Sequence, residues 1–201
     1  MRKICLTLLL VANATFLLAQ TDGGTQIGNS TSEPDIKAFT DRCRQQVKSF
    51  QEYISIIADP SAAAEDKQQA IEQTLGMFLK GSTIQVSSVK NAKQVKTYSL
   101  NEYLQNLNLL SKKYKLVEMS VYKPAKIADF VKNPDGTWSG NATYFQRFNA
   151  VTKSGAKLQD EVAKRMETLL KTQKDPFTNV NDWMLLLGNI SVVEVNNVPV
   201  N

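Results

Sequence analysis

The feature that most constrains the fold is a long alternation of residue types between positions 133 and 151. It opens on Asn-Pro-Asp-Gly at 133–136, a sequence typical of a tight turn that leads into a hairpin. Beyond the turn every second residue is apolar or small, with one glutamine as the exception, and mostly polar residues stand between them. The repeating positions are Trp138, Gly140, Ala142, Tyr144, Gln146, Phe148 and Ala150. A period of two over this length predicts a β-strand with one buried face.

Residues 1–19 predict a signal peptide. Arg2 and Lys3 supply a positive start, residues 4–18 are mostly apolar, and Ala19 stands at a point suited to cleavage, before polar residues. The apolar run is short for a transmembrane helix, although a retained anchor is the alternative, and no second stretch approaches spanning length. We therefore expect a periplasmic or secreted protein without a transmembrane span, cleaved near Ala19.

The rest of the chain predicts one domain behind a polar leader. Residues 20–33 lack apolar periodicity and predict a flexible leader. Residues 34–201 are long enough for a substantial core, and we expect them to form a single domain. The formal net charge of the chain is +5. Because its basic residues are scattered among acidic ones, we expect no nucleic-acid-binding face.

The chain contains no histidine and two cysteines. Without histidine, Ser-His-Asp and Cys-His catalysis and His-liganded zinc are excluded as they are usually built. Cys5 falls inside the predicted signal peptide, which leaves Cys43 without a disulfide partner. The place of Cys43 on the apolar stripe of a predicted helix favours a small buried hydrophobe over a reactive thiol. No carboxylate cluster has metal-ligand spacing and no glycine-rich phosphate loop occurs, so we expect no metal and no cofactor.

Three stretches predict helices. Residues 35–58 carry an apolar stripe at three- and four-residue steps, with Ser32 as the expected N-terminal cap. A second helix is expected to follow a cap at Ser61 and to end before Gly81, which makes the pair an antiparallel hairpin. A capping box at 99–102 predicts a third helix. The stripe of the first helix consists of Ile36, Phe39, Cys43, Val47, Phe50, Ile54 and Ile57.

The other apolar stretches predict strands. Residues 82–88 and 95–98 alternate over short lengths, and from Tyr114 the period is again two. Within that third stretch Pro124 must lie at a sheet edge or a bulge, because it has no N–H to donate. Residues 183–195 are almost continuously apolar, which is typical of a central strand buried on both faces.

Residues 157–173 are ambiguous. Leu158, Val162, Met166 and Leu170 fit one side of a helix and equally one face of a long strand. The frequent Glu, Ala, Lys, Arg and Met favour a helix by intrinsic propensity. The turn before the segment and the strand after it favour a strand.

The order of these elements resembles the NTF2-like superfamily, a cystatin-like α+β class that includes SnoaL-like and ketosteroid-isomerase-like proteins. The resemblance implies an N-terminal helical hairpin and a third helix packed in a curved antiparallel sheet, which together form a cone with an internal pocket. The resemblance also implies that residues 157–173 form a strand, although their intrinsic propensity favours a helix. Several short stretches are also similar to small exported proteins of Bacteroidetes-type bacteria assigned to this class: Gly136-Thr137-Trp138, TYFQRF at 143–148 and LGNI at 187–190.

Under this resemblance the even-numbered residues of the strand after Gly136 line the cone. The candidate pocket residues are Trp138, Tyr144, Gln146 and Phe148, with Tyr122 and Asp160 from neighbouring strands. Gln146 is a polar residue on an otherwise apolar face, and leaving it unsatisfied would cost about 1–3 kcal/mol. It is expected to bond a ligand, a water molecule or a neighbouring side chain.

Ketosteroid-isomerase-like chemistry needs a carboxylate base beside phenol or acid donors. Asp160 is the candidate base, and Tyr122 and Tyr144 are the candidate phenols. None of them aligns with the catalytic positions of the family, so no catalytic residue is assigned.

We expect a non-enzymatic protein of the cell envelope that binds a small apolar or amphipathic ligand, or a partner protein, through the cone. The alternative is an isomerase- or lyase-like enzyme that uses a buried carboxylate. An open pocket with an inward carboxylate of raised pKa would favour the enzyme, and a cone filled by side chains would count against it. A third hypothesis is a homodimer formed through the outer face of the sheet.

Overall fold

A computed structural model describes residues 32–88, 91–174 and 181–196. The predicted signal peptide and most of the predicted leader lie outside these residues. The elements follow in the order α1 (Ile36–Ala58), α2 (Ala64–Met77), β1 (Thr83–Ser88), β2 (Asn91–Ser99), α3 (Leu100–Asn108), a 3₁₀ helix (Leu109–Lys112), β3 (Tyr114–Ile127), β4 (Val131–Lys132), β5 (Trp138–Thr152), β6 (Lys157–Lys174) and β7 (Asn181–Asn196). In the described ranges no helix is both long and apolar enough to cross a membrane.

The first two helices form where the apolar periodicity predicts them, but their caps differ. The carboxylate of Asp35 accepts the N–H of Ala38 at 3.1 Å and caps α1. The predicted cap at Ser32 is wrong, because a cap must directly precede the first helical residue. Ser61 does not cap α2 either, since it donates its backbone N–H and its hydroxyl to Asp59 at 2.8 and 2.7 Å.

The third helix starts as its capping box predicts. The hydroxyl of Ser99 accepts the N–H of Glu102 at 3.2 Å, which satisfies one of the free donors at the start of α3. The helix is short, and its buried side places one phenol and several leucines against the sheet: Leu100, Tyr103, Leu104 and Leu107. This side of α3 forms one boundary of the space inside the cone.

The sheet has the strand order β2-β1-β7-β6-β5-β3, with β4 paired to β5. All its pairs are antiparallel except β1 with β7, which meet in parallel at Ile84 and Ile190. The predicted antiparallel sheet is therefore corrected to a mixed one. The direction of β7 is set by its hairpin with β6, so the orientation of its distant neighbour β1 could not be read from local sequence.

The ambiguous segment is a strand. β6 pairs with β5 along one side and with β7 along the other, over almost its whole length. A central strand bonds its backbone groups on both sides, and this pairing overrides the helix propensity of its residues. Pro124 lies in the edge strand β3, within the register shift between Lys123 and Lys126, so that prediction is confirmed.

The core lies between the concave face of the sheet and the helices. Phe50 of α1 is fully buried and packs edge-on against Phe78, with ring centres 5.3 Å apart, and against Tyr144 of β5 at 6.0 Å. Cys43 is buried on the same side of α1, as its place in the stripe predicts, and burial raises the pKa of its thiol to about 11. A thiol in this environment is unreactive near neutral pH.

Candidate functional site

A cavity of about 490 Å³ lies between α3, the 3₁₀ helix and the inner face of the sheet. Most of its wall is apolar and comes from Leu107, Leu110, Met119, Phe148 and Val162. The volume falls within the range of about 300–1,000 Å³ that is usual for small-molecule sites. The cone is therefore open inside and not filled by its own side chains.

The register of β5 and β6 brings polar side chains into one wall of the cavity. Tyr144 pairs with Lys164, Gln146 with Val162, and Phe148 with Asp160. Because successive side chains point to opposite faces of a sheet, the even-numbered residues of both strands share the concave face. Gln146, Asp160 and Lys164 therefore converge on the same space, each separated from the next by an apolar neighbour.

Gln146 is buried, with 6% of its surface exposed. Its side-chain nitrogen donates to the sulfur of Met119, at 4.0 Å, and a thioether is a weak acceptor. Across the cavity, burial raises the pKa of the Tyr103 phenol, and the adjacent Gln146 side chain partly opposes this rise. The amide thus has hydrogen-bonding capacity left for a molecule in the cavity.

Asp160 brings a carboxyl group to the same wall. It is 4% exposed, and its Oδ1 atom has no hydrogen-bond partner among the residues that the structure describes. Burial raises the pKa of this carboxyl, while the backbone N–H of Glu161 and the charge of Lys164 act in the opposite direction. A carboxyl of raised pKa in a cavity can hold or accept a proton closer to neutral pH than an exposed one can.

Lys164 is the site residue that the sequence analysis missed. It is 4% exposed, and its Nζ atom lies 5.5 Å from the centre of the Tyr103 ring. Burial lowers the pKa of the ammonium group to about 8, and the Asp160 carboxyl partly opposes this shift. Within the described ranges, no carboxylate lies within 4.0 Å of the Lys164 amine. Its position on the same face as Val162 and Met166 was the signal that could have revealed it.

These elements combine a helical hairpin, a third helix and a curved sheet around an internal pocket. The fold is NTF2-like. No family model matches the chain, and no curated protein matches it. The more specific likeness to exported proteins of Bacteroidetes-type bacteria stays a prediction.

Solved structures with low sequence identity are similar to the chain. An NTF2-like superfamily protein from Salmonella enterica serovar Typhimurium is 12% identical, with a TM-score of 0.45, over 78% of this chain and 91% of that one. An NTF2-like protein of unknown function from Exiguobacterium is 8% identical, with a TM-score of 0.36, over 76% and 99%. AusH from Aspergillus nidulans is 10% identical, with a TM-score of 0.35, over 71% and 83%. Likeness at this level does not extend to function.

The residues predicted to line the NTF2-like cone occupy four different places. Gln146, Phe148 and Asp160 line the cavity together. Tyr144 lies behind the cavity wall, fully buried against Phe50, and its hydroxyl has no hydrogen-bond partner within the described part of the chain. Burial raises its pKa well above the ordinary range, and the nearby Tyr103 phenol adds to the rise.

The other two predicted residues lie away from the cavity. Trp138 stands near the start of β5, with the Lys132 ammonium 5.8 Å from its ring. Tyr122 lies on the convex face of the sheet, where its ring is 5.8 Å from that of Phe145. The register explains this position: Val121 pairs with the inward-facing Gln146, so the next residue along β3 points outward.

Within the described ranges no group of three or more His, Cys, Asp or Glu side chains is arranged to hold a metal ion. The chemistry that the site can perform with its own residues is hydrogen bonding, charge pairing, proton transfer and reaction at an amine. Asp160, Lys164, Gln146 and Tyr103 are among the groups available for it.

Proposed function

We propose that the protein binds a small amphipathic molecule inside the cone, without chemical turnover, in the cell envelope after export. The observation that supports this is the open apolar cavity with Gln146, Asp160 and Lys164 buried in one wall. A cavity of about 490 Å³ suits a small molecule better than a folded partner.

The burial of polar groups argues for a ligand that has a polar end. Desolvating a hydrogen-bonding group without giving it a partner costs about 1–3 kcal/mol, and a ligand that pairs with Gln146 or Lys164 would recover part of that cost. The exposed Lys112 and Lys113 stand at the edge of the cavity and add positive charge. We therefore expect the ligand to have an apolar body and a carbonyl, hydroxyl or carboxylate group.

Protein purified from its native host should carry the ligand, and mass spectrometry of the released small molecules would identify it. The variant Val162→Phe places a larger side chain in the cavity and should weaken binding at least about tenfold, or about 1.4 kcal/mol. The matched control is Val193→Phe, at an exposed position of β7, which should bind like the parent protein. Equal affinity in both variants would contradict binding inside the cone.

A second candidate function is an isomerase- or lyase-like activity with Asp160 as the base. The observation that favours it is the raised pKa of this buried carboxyl, together with its unpartnered Oδ1 atom. The test is deuterium exchange next to the carbonyl of 2-acetylnaphthalene, followed by NMR in D₂O. Exchange that is lost in Asp160→Asn but kept in Asp129→Asn, an exposed position, would support the enzyme. No exchange above the buffer rate would count against it for this substrate class.

A further inference from the structure

We propose that Lys164 captures an aldehyde or ketone in the cone cavity as a reversible imine. This inference rests on the proposed function, since it requires a small ligand inside the cone, and it names the chemical class of that ligand. An imine-forming lysine needs three things: room beside its nitrogen, a neutral fraction of the amine, and a nearby group that can move protons.

The amine has room and is held in place. Lys164 lines the cavity of about 490 Å³, and its side chain extends from β6, the central strand of the inner wall. The Tyr103 ring, 5.5 Å from the amine, limits how far the side chain can swing. A carbonyl compound with an apolar body would lie against Leu107, Phe148 and Val162 with its carbonyl group towards this nitrogen.

The protonation of the amine supports the same chemistry. With a pKa of about 8, about a tenth of the Lys164 side chains are neutral at pH 7, against roughly 0.03% for a lysine at 10.5. The titratable groups around it include Asp160 on its own strand, Tyr103 from α3 and Tyr144 from β5. Lys112 and Lys113 line the same cavity. Of these the two phenols stay neutral at this pH, because burial raises the pKa of each. Asp160 is the acidic neighbour.

The reaction balances without any further reagent. The lone pair of Nζ attacks the carbonyl carbon, the C=O π electrons move to oxygen, and a proton passes from nitrogen to that oxygen to give a carbinolamine. The carbon–oxygen bond then breaks, and the oxygen leaves as water after taking a proton from the acid form of Asp160. The nitrogen forms the C=N bond and keeps one proton as an iminium, whose charge the Asp160 carboxylate offsets. The reverse reaction with water releases the ligand.

Reductive trapping tests the proposal. The purified protein is incubated with 2-naphthaldehyde and sodium cyanoborohydride, which converts an imine to a stable secondary amine, and the modified lysine is located by peptide mass spectrometry. We expect Lys164 to be labelled about tenfold or more faster than any surface lysine at pH 7, since its neutral fraction is far larger. Labelling of Lys164 should rise between pH 6 and 8 and then level off, whereas exposed lysines should continue to rise towards pH 10.

Matched variants and a non-carbonyl analogue separate this proposal from the proposed function. Lys164→Met should abolish the fast labelling, and Lys48→Met, at an exposed position of α1, should keep it. An excess of 2-naphthylmethanol, which has the same body but no carbonyl, should slow labelling by occupying the cavity. If the alcohol binds in the cavity but labelling of Lys164 is no faster than that of surface lysines, imine formation is refuted while ligand binding stands. If neither compound binds, both imine formation and the proposed function are refuted for this ligand class.

Discussion

Asp160 and Lys164 lie on the same inward face of β6, with only Val162 between them on that face, and each has 4% of its surface exposed. Burial moves the two pKa values towards each other, raising that of the carboxyl and lowering that of the amine. Their mutual attraction opposes both shifts but does not cancel them. The wall of the cavity therefore carries two groups whose charged forms destabilise the folded protein.

Lys164→Met should remove the free-energy cost of burying the Lys164 ammonium group in the folded protein. This cost depends on pH. The pKa of this lysine falls from 10.5 to about 8 on folding, so between these values the unfolded chain binds more protons than the folded one. The stability of the parent protein therefore rises as the pH increases from 8 to 10.5. Below pH 8 the loss of stability caused by burying the charged Lys164 is fully present. We expect the variant to be more stable than the parent by about 3 kcal/mol at pH 7.

Urea unfolding at pH 7 and pH 10 measures this effect. The difference in free energy of unfolding between Lys164→Met and the parent should shrink at the higher pH. Both proteins contain the same tyrosines and Cys43, so the titration of these groups cancels in the comparison. A difference that stays the same at both pH values would show that Lys164 is not the titrating group.

Asp160→Asn should also stabilise the protein at neutral pH. Because the folded pKa of this carboxyl is raised above 3.8, the folded chain holds the proton longer, and stability falls as pH rises through the folded pKa. We expect the variant to be more stable than the parent at pH 7, because asparagine carries no charge to bury. The gain should largely disappear near pH 3.5, where most of the parent carboxyl is protonated in both states. Thermal unfolding at the two pH values checks it, and a gain that persists at pH 3.5 would contradict the assignment.

Phe50→Ala should be among the more damaging core substitutions. The ring is fully buried between Phe78 and Tyr144, and its removal leaves a cavity beneath the sheet. Truncations of this kind cost about 3–5 kcal/mol. Ile56→Ala, at an exposed position of the same helix, should change stability by no more than about 0.5 kcal/mol. Urea midpoints of the two variants would reveal the contrast, and similar midpoints would mean that the ring is not part of the core.

Gly140→Ala and Gly76→Ala should have opposite effects. A Cβ atom at Gly140 would lie 3.0 Å from the Thr168 hydroxyl and 3.1 Å from the Phe130 ring, so the strand or its neighbours must shift. We expect a loss of about 1–3 kcal/mol. A Cβ atom at Gly76 in α2 would have no described atom outside its own helix backbone within 4 Å, and alanine should stabilise the helix by about 0.5–1 kcal/mol. Differential scanning calorimetry would show the two melting temperatures moving in opposite directions, and a melting temperature of Gly140→Ala at or above that of the parent would contradict the close contact.

The local sequence determined most of the secondary structure, β6 excepted, and the division of β5 into two faces. Apolar residues at helical steps placed α1, and alternation from Trp138 to Ala150 identified a half-buried strand, because both periods follow from backbone geometry alone. The turn at 133–136 was also readable, since Gly136 adopts a positive φ of 84° that glycine accepts without strain.

Tertiary structure decided everything that depends on distant neighbours. Pairing on both sides made β6 a strand in spite of its helix propensity, and the register of β3 turned Tyr122 away from the cone. The open volume beside Gln146 depends on how α3 stands off the sheet, and no local period encodes that distance. Lys164 became a site residue only through burial, because a pKa responds to the solvent and charges around a group and not to its position in the chain.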